Sequence, residues 1–511
     1  MLASSWMRLA ACALALALTA AYLLVVGPYW NIGPDSETYI ESAENLAAFR
    51  GYGSSMRGPV PSMIYAVPIY FSPGNYLLLN GVNAVFSLLS AAVAYFLFRR
   101  HIEPAAASLI ALLLLASTLL LEQSTTMLSD VFYLLFSLAA LGLYSTAARG
   151  HQSAWRAAIV GFVIMLACLS RVVGLALILA VLTHQALLWV RPSKESDFRP
   201  LVCLSTGAAL AVLLGWEIRN HLTFVSMFDL ALQRDIWIPA NGYNSATDMV
   251  QRLVSNLVDY RWIGDILINQ NEHHEPILQG PIRDALAAVA LGGALWGFAV
   301  RGMKAVTELE LYTIIYLAAV GLFENAVFLR WFLPVVPLLL YYFLSGCADI
   351  AARLKVERHP KVRGSVQALA ACYILIFFAS TVTYSRHLGR EAHYSPFGKF
   401  PIKYRNNHDL QGLALWYSGW AKPDQPYLTL HAPMIGRLTR QQAHRMPFTS
   451  DPNELIRRMA ETGSQYLLAD KQKPIIRQLV LPAIRAREDR FEIVRDAPNA
   501  AVYKYTPTDT P

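Results

Sequence analysis

Residues 9–26 read LAACALALALTAAYLLVV, and the polar stretch NIGPDSETYI follows at residues 31–40. A helix needs about 20 apolar residues to cross a hydrocarbon core of about 30 Å, so the first run predicts a membrane span. Similar runs recur along the 511-residue chain, of which 55% is hydrophobic and only 15% is charged. The sequence therefore predicts a polytopic α-helical membrane protein and excludes an ordinary soluble protein.

About eleven apolar runs are candidate transmembrane helices. They cover residues 9–29, 74–98, 104–121, 128–148, 157–170, 172–190, 200–216, 282–300, 307–323, 331–350 and 365–385. If the N-terminus is cytoplasmic, every inner connection carries Arg or Lys, as the positive-inside rule requires. Two long loops, residues 30–73 and 217–281, and the C-terminal tail then lie outside. We expect a transmembrane domain at residues 1–385.

Two parts of this topology have alternatives. Residues 157–170 and 172–190 are short for separate spans and meet at Arg171. A re-entrant hairpin would move the following basic segment off the cytoplasmic side, so two spans are favoured. Residues 9–29 also resemble a cleaved signal peptide, but their apolar stretch is long for one, and a membrane anchor is favoured.

The tail after residue 385 changes character. DPNELIRRMAETG at residues 451–463 has a cap-like Asp-Pro start and helical spacing, whereas SQYLLAD at 464–470 and AAVYKY at 500–505 look like strands. FEIVRD at 491–496 precedes the turn APNA. These patterns predict an extracytoplasmic, periplasmic α/β domain at residues 386–511.

The formal net charge of +8 is concentrated in the tail, where 19 Lys and Arg face 12 Asp and Glu from Arg386 onward. Membrane proteins also gather positive charge for topological reasons, so no nucleic-acid partner is expected. An anionic lipid surface or a phosphorylated substrate would suit a basic tail, although scattered solvated charges explain it as well. The five cysteines lie in apolar runs without a disulfide or metal-site spacing.

The first outer loop carries two carboxylates next to the membrane. Asp35 and Glu37 stand at the start of a segment whose apolar residues, from Tyr39 to Ala47, predict a helix along the membrane interface. Carboxylates are stabilised near a helix N-terminus, so Asp35 or Ser36 can serve simply as a helix cap. The functional alternative is that Asp35 and Glu37 are catalytic and that Tyr39 lines the same cavity.

Three arginines are predicted at the outer side. Arg57 lies in the first loop, Arg219 with Asn220 follows the seventh span, and Arg330 begins the tenth. A cation at the apolar boundary is costly unless it is paired or reaches the interface, and guanidinium groups suit phosphate oxygens. Together they indicate an anionic ligand within the membrane, although each alone is more often an interfacial anchor. Arg171 is expected to line this cavity or to extend to the interface.

A divalent metal ion is the only cofactor that the sequence suggests. NEHHEP at residues 271–276 offers His273 and His274 between two glutamates in the second long loop. Adjacent histidines rarely bind one ion together, and the spacing is not diagnostic of a metal site. His273 is therefore also a candidate for lining the cavity without a metal.

The order of these segments resembles the GT-C membrane glycosyltransferases, and most closely the protein O-mannosyltransferases and the lipid A aminoarabinose transferase. The matching segments, in chain order, are PDSETYI, a G-Y-G and proline-rich segment, LSDVFYLLFSLAALGLY, LACLSR, WEIRN, LRWFLPVVP and an α/β tail. No single motif is specific, and the resemblance depends on the ordered set. It covers nearly the whole chain.

The resemblance implies an enzyme that moves a hexose or pentose from a polyprenyl-phosphate carrier to an acceptor glycan, lipid or protein, with inversion. The compact loops and the absence of retention signals favour the bacterial inner membrane for this multi-pass protein, which membrane lipids would surround. The catalytic role of an acidic residue in the first external loop would fall on Asp35. Arg330, with Arg57 or Arg219, would bind the carrier phosphate. The family often has an Asp-Glu pair, whereas here Ser36 separates Asp35 from Glu37.

Three alternatives remain. A lipid or sugar transporter or flippase would also have many spans, but it would more often show repeated halves. An enzyme like an O-antigen ligase or polymerase also uses a lipid-linked sugar, but it would normally lack both an Asp after the first span and a terminal α/β domain. A non-catalytic assembly protein would use the basic tail to recruit partners.

Overall fold

The computed structural model describes most of the chain as two compact units. The described residues are 2–27, 36–52, 57–149, 153–190, 199–223, 250–251, 253–254, 256, 260–270, 278–323, 329–356, 360–393, 408–421, 425–430, 432–439, 441–447, 449–471, 473 and 476–507. The first unit comprises Met1–Trp30, Ser42–Ala231 and Asn244–Phe400, and the second comprises Asn31–Glu41, Leu232–Tyr243 and Pro401–Pro511. The predicted domain boundary at residue 385 stays a prediction.

Helices make up nearly all of the regular structure before residue 394. They are α1 (Leu2–Val25), α2 (Ser36–Ala47), α3 (Pro59–Phe71), α4 (Tyr76–Phe98), α5 (Pro104–Leu115), α6 (Thr118–Ser124), α7 (Asp130–Arg149), α8 (Ala154–Ser170), α9 (Leu175–Val190), α10 (Pro200–Thr223), α11 (Trp262–Leu267), α12 (Gly280–Lys304), α13 (Glu308–Phe323), α14 (Val336–Arg353) and α15 (Pro360–His393). Within the described residues, every predicted apolar span overlaps one of these helices or a pair of them.

Seven helices in the described part of the chain are long and apolar enough to cross a membrane. The pair α5 and α6 makes an eighth if it forms one bent span, and Cys12–Val25 and Ala154–Ser170 are shorter apolar helices. These features confirm a polytopic helical membrane protein. The number of eleven spans stays a prediction. The apolar helix α3 within the first predicted loop was not anticipated.

The span predicted at residues 104–121 is broken between α5 and α6, which meet at 54°. Asn269, in the left-handed conformation with φ 58°, contacts both sides of this break. Its Nδ2 donates to the Ala116 carbonyl at 2.9 Å, and its Oδ1 accepts from the Thr118 amide at 2.7 Å. One amide side chain therefore satisfies backbone groups that the interrupted helix leaves without helical partners.

The helices α12 and α14 approach so closely that glycine is needed where they meet. A Cβ on Gly297 would overlap the Tyr342 carbonyl oxygen, and one on Gly346 would overlap the Gly293 carbonyl oxygen. Small residues allow this close approach between membrane helices.

Gly297→Ala is expected to destabilise the protein by about 1–3 kcal/mol, because the added methyl group must push the two backbones apart. Thermal unfolding in detergent measures this loss. Gly292→Ala in the same helix is the matched control, since a Cβ at Gly292 would have no atom within 4 Å. Equal unfolding temperatures for the two variants would show that the close contact is not required.

The second unit contains a five-stranded sheet in the order β2-β1-β3-β5-β4. The strands are β1 (Tyr427–Thr429), β2 (Ala443–Arg445), β3 (Tyr466–Asp470), β4 (Phe491–Ala497) and β5 (Ala500–Tyr505), and the helices are α16 (His408–Trp420), α17 (Ala432–Thr439), α18 (Pro452–Thr462) and α19 (Leu481–Arg485). β1 pairs in parallel with β2 and β3, whereas β5 is antiparallel to β3 and β4. This sheet with its helices confirms the predicted α/β character of the tail.

The helix start and the strands predicted in the tail are confirmed. Asp451 caps α18, and its side chain accepts from the Asn453 amide at 2.9 Å. Gly463 ends that helix in the left-handed conformation with φ 65°. SQYLLAD and AAVYKY contain β3 and β5, and FEIVRD lies in β4.

Candidate active site

The first predicted loop contains the expected helix, α2. Glu37 and Tyr39 lie on this helix with only 6% and 4% of their surface exposed, and both belong to the second unit. Asp35 and His273 lie outside the described residues, so their roles stay predictions. No group of three or more His, Cys, Asp or Glu side chains suited to a metal ion occurs among the residues that the structure describes. NEHHEP lies outside that part of the chain, and metal binding there also stays a prediction.

Tyr52 connects the segment that carries Arg57 to the end of α10. Its hydroxyl donates to the carbonyls of Arg57 at 2.9 Å and Gly58 at 3.1 Å. Its ring packs edge-to-face on Trp216, with the centroids 5.2 Å apart. The Arg219 guanidinium lies 4.8 Å from the Trp216 ring and 5.8 Å from the Tyr52 ring. Two of the predicted arginines are thus held on neighbouring segments through one tyrosine.

Asn220 orients Arg219. Its Oδ1 accepts from Arg219 Nη1 at 3.0 Å, and Asn220 itself is 1% exposed. Cation–π contacts with Tyr52 and Trp216 restrain the same guanidinium from the ring side. The half-buried Arg219 therefore has a defined direction, as a residue that binds an anion requires.

Gly58 brings the Arg57 segment against the end of α8. A Cβ on Gly58 would overlap the Leu169 carbonyl oxygen and lie 3.2 Å from that of Ser170. Only glycine allows the two backbones to touch at this point. The next residue after Ser170 is Arg171, which stands in extended conformation at the break between α8 and the 3-10 turn Val172–Gly174. Arg57 and Arg171 thus lie on segments in direct backbone contact.

Arg171 forms an ion pair with Asp130 at the start of α7. The Asp130 side chain is 3% exposed and that of Arg171 is 19% exposed, so the pair is largely buried. Arg171, which was expected to line the cavity or to extend to the interface, is thus paired with an acidic residue of another helix. The sequence did not predict that they are each other's partners.

The polar segment EQSTTMLSD at residues 122–130 contains the end of α6, the connection that follows and the first residue of α7. Every residue in it is buried. Asn83 explains part of this, because its Nδ2 donates to the Thr126 carbonyl at 2.8 Å while its Oδ1 accepts from the Tyr65 hydroxyl at 2.6 Å. A polar segment that leads to Asp130 is therefore held inside the first unit by side-chain hydrogen bonds.

Arg330 lies in the 3-10 turn Leu329–Val335, which packs against α6 and α7. The neighbouring Trp331 carbonyl accepts from the Tyr316 hydroxyl at 2.7 Å. The Tyr316 ring stacks on Tyr133, one turn after Asp130 in α7, with centroids 6.1 Å apart. The half-buried Arg330 thus stands on an element beside the helix that begins with Asp130.

Four arginines therefore stand on contacting elements of the first unit around the start of α7: Arg57, Arg171, Arg219 and Arg330. Within this group, Asp130 is the ion-pair partner of Arg171. The sequence analysis identified neither Tyr52 nor the ion pair of Asp130 and Arg171. The signal was present, because an ionisable residue at the end of an apolar span is a functional candidate by default.

Comparison with known proteins gives the fold. Residues 36–218 match the family model described as dolichyl-phosphate-mannose-protein mannosyltransferase. This range includes Glu37, Arg57, Asp130 and Arg171 and ends just before Arg219. No curated protein matches the sequence.

Solved structures similar to this chain include those of two proteins, AglB and ArnT. AglB, the oligosaccharyltransferase of Archaeoglobus fulgidus, in complex with an inhibitory peptide and a dolichol-phosphate, is 11% identical with a TM-score of 0.57, over 98% of this chain and 75% of that one. The same enzyme in complex with Zn and sulfate is 15% identical with a TM-score of 0.53, over 97% and 73%. ArnT of Cupriavidus metallidurans bound to undecaprenyl phosphate is 12% identical with a TM-score of 0.54, over 99% of both chains. The chain therefore has a GT-C fold, and the resemblance noted in the sequence is confirmed.

Proposed function

We propose that this GT-C chain transfers a hexose or pentose from a polyprenyl-phosphate carrier to an acceptor glycan, lipid or protein. The main support for this proposal is the set of arginines on contacting elements around the start of α7, which provides cations for a lipid-linked phosphate. Three comparisons support this proposal: the family model describes a mannosyltransferase, AglB is an oligosaccharyltransferase in complex with a dolichol-phosphate, and ArnT is bound to undecaprenyl phosphate. A transporter or flippase is not favoured.

Asp35 is the proposed base, and the arginines stabilise the leaving group. Asp35 accepts the proton of the acceptor hydroxyl while that oxygen forms a bond to the anomeric carbon of the sugar. The bond from this carbon to the carrier phosphate breaks, and the phosphate oxygen keeps the electron pair. Arg57, Arg219 and Arg330 stabilise the resulting negative charge. Attack opposite to the leaving phosphate inverts the anomeric configuration.

The remaining groups orient this site. Asp130 neutralises and positions Arg171, whose backbone neighbours contact Gly58, and so fixes the segment that carries Arg57. Glu37 is a second acid on α2, and Tyr39 and Asn220 line the cavity in this proposal. His273 is proposed to line it as well or to bind a divalent metal ion, which would supply additional positive charge at the phosphate. We also propose that the enzyme lies in the bacterial inner membrane, with a cytoplasmic N-terminus and a periplasmic C-terminal domain.

Mass spectrometry of lipids, polysaccharides and envelope proteins tests this function in cells with and without the gene. We expect one class of molecule to lose a single hexose or pentose in the deletion strain and to regain it on complementation. Loss of the sugar with accumulation of its lipid-linked donor on the cytoplasmic side would instead indicate a flippase, and an unchanged envelope would contradict the proposed transfer.

Tyr52→Phe is expected to weaken binding of undecaprenyl phosphate by about 2- to 10-fold, because the lost hydroxyl no longer fixes the carbonyls of Arg57 and Gly58. The ring contacts to Trp216 and Arg219 are retained. Binding to the purified protein in detergent measures the effect. Tyr70→Phe, at a tyrosine that is 57% exposed on α3, is the control and should bind as the wild type does.

A further inference from the structure

Two parallel tryptophans on α16 form an exposed aromatic surface in the second unit. The Trp416 and Trp420 rings stack with centroids 5.3 Å apart and planes 11° apart. Trp420 is 51% exposed, whereas Tyr417 between them is buried and packs on Tyr427 and Tyr466 of the sheet. The helix is thus held by Tyr417, and Trp420 keeps about half of its surface in solvent.

The fold of the unit does not explain this exposure. Its main apolar cluster lies on the opposite face of the sheet, where Leu467, Tyr503 and Phe491 pack with residues of α18 and α19. On the α16 side, Leu413 and Ala414 are buried along with Tyr417. A half-exposed tryptophan stacked on a second one, outside both packed layers, is the kind of apolar patch that marks a binding surface.

Charged residues lie on the face of the sheet that α16 covers. The Arg495 guanidinium lies 5.0 Å from the Trp416 ring. Strand register places Lys504 opposite Tyr466 and Glu492 opposite Lys504. Directly paired residues share a face of the sheet, and Tyr466 contacts Trp420 edge-to-face at 5.4 Å. Hydrogen-bond donors and an acceptor therefore stand on the same face as the aromatic rings.

We propose that this surface, defined by Trp416, Trp420, Glu492, Arg495 and Lys504, binds a carbohydrate chain of the acceptor. A sugar ring has an apolar C–H face that stacks on an indole and a rim of hydroxyls that pairs with charged side chains, and this surface offers both partners. The inference rests on the proposed function and narrows it, because it makes the acceptor a glycan or a glycan-bearing molecule.

The charge of the C-terminal segment of the unit, residues 401–511, selects among carbohydrates. Residues 401–511 carry 16 Lys and Arg against 11 Asp and Glu, a difference of +5. Two of these cations, Arg495 and Lys504, belong to the surface itself, against one anion, Glu492. Complementarity of charge therefore favours an oligosaccharide with phosphate or carboxylate groups over a neutral one.

Binding of two soluble glycans to the full-length protein in detergent tests the proposal. The probes are a phosphorylated core oligosaccharide released from bacterial lipopolysaccharide and neutral maltohexaose, titrated by calorimetry without any donor lipid. We expect the phosphorylated probe to bind more tightly. Trp420→Ala should lower the affinity for this probe by about tenfold or more, because the stacking contact is lost. Trp420→Phe, which keeps an aromatic ring, should have an affinity between those of Trp420→Ala and the wild type. Arg495→Gln should lower the affinity for the phosphorylated glycan but not the affinity for the neutral one.

Ile493→Ala is the matched control, because Ile493 lies on the same strand, is 55% exposed and pairs with Tyr503 on the opposite face. It should bind both glycans as the wild type does. Thermal unfolding confirms that each variant is folded. Failure of both glycans to bind, or equal affinity in wild type and Trp420→Ala, would overturn the proposal.

Quenching by brominated lipids in nanodiscs separates a glycan surface from a membrane anchor. The emission of Trp420 is the difference between the fluorescence of the wild type and that of Trp420→Phe, and the brominated lipids should not quench it. Strong quenching of this emission would place Trp420 among lipid chains and would contradict the proposal. Since no donor is present, these results do not depend on sugar transfer. Glycan binding without any sugar transfer would contradict the proposed function but not this inference. Sugar transfer without glycan binding would contradict this inference but not the proposed function.

Discussion

Asp35→Asn is expected to reduce sugar transfer by about 10²- to 10⁴-fold, the usual contribution of a positioned general base. An amide has nearly the shape of the carboxylate but cannot accept the proton from the acceptor hydroxyl at neutral pH. Binding of the carrier phosphate should change little, because the arginines assigned to that phosphate are intact. The measurement is the rate of transfer in proteoliposomes that contain the donor lipid, with undecaprenyl phosphate binding measured in parallel.

Glu103→Gln is the control for this result. Glu103 is an exposed carboxylate that precedes α5, in a connection predicted to be cytoplasmic, and its substitution should leave the transfer rate unchanged. Full activity in Asp35→Asn would remove Asp35 from the mechanism and leave Glu37 as the acid to test. Loss of both transfer and thermal stability would indicate that Asp35 is a structural cap instead.

Arg171→Leu is expected to destabilise the protein by about 3–5 kcal/mol, because it leaves the buried Asp130 carboxylate without its ion-pair partner. The double variant Asp130→Asn/Arg171→Leu should recover much of that stability, since it removes the uncompensated charge. Sugar transfer should stay impaired in the double variant, because the segment that carries Arg57 packs beside Arg171.

Thermal unfolding in detergent and transfer in proteoliposomes separate these two effects. Arg353→Gln serves as the control, since Arg353 pairs with Asp349 in an i,i+4 contact and has a side chain that is 61% exposed. Such exposed pairs contribute little to stability. If the single and double variants were equally unstable, the loss would come from Arg171 packing and not from the buried charge of Asp130.

The sequence was sufficient for the helices because hydrocarbon thickness sets a minimum apolar length that composition reveals directly. It was also sufficient for α18, where Asp451 and Gly463 are chemical signals for the first and last turn. Both kinds of signal are local. The break between α5 and α6 has no such signal, because neither Gly nor Pro marks it and Asn269, more than 150 residues away, satisfies it.

The residues of the candidate site also fall into those that the sequence identified and those that it did not. Arg57, Arg219 and Arg330 were identifiable as cations at the apolar boundary, where a charge needs a reason. Their neighbours were not, because the contacts through Tyr52, through Gly58 and between Arg171 and Asp130 join segments far apart in the chain. The burial of EQSTTMLSD was unpredictable for the same reason, since its polar composition resembles that of an exposed loop and its hydrogen-bond partner Asn83 lies in another helix.

Binding of undecaprenyl phosphate to arginine variants of the purified protein tests the central claim most directly. Arg57→Gln, Arg219→Gln and Arg330→Gln should each weaken binding by about tenfold or more, because each removes a charge-assisted hydrogen bond to phosphate, and Arg353→Gln should not. The losses should shrink at high salt for the more exposed contacts. Wild-type affinity in all three variants would contradict the assignment of this arginine cluster to the carrier phosphate.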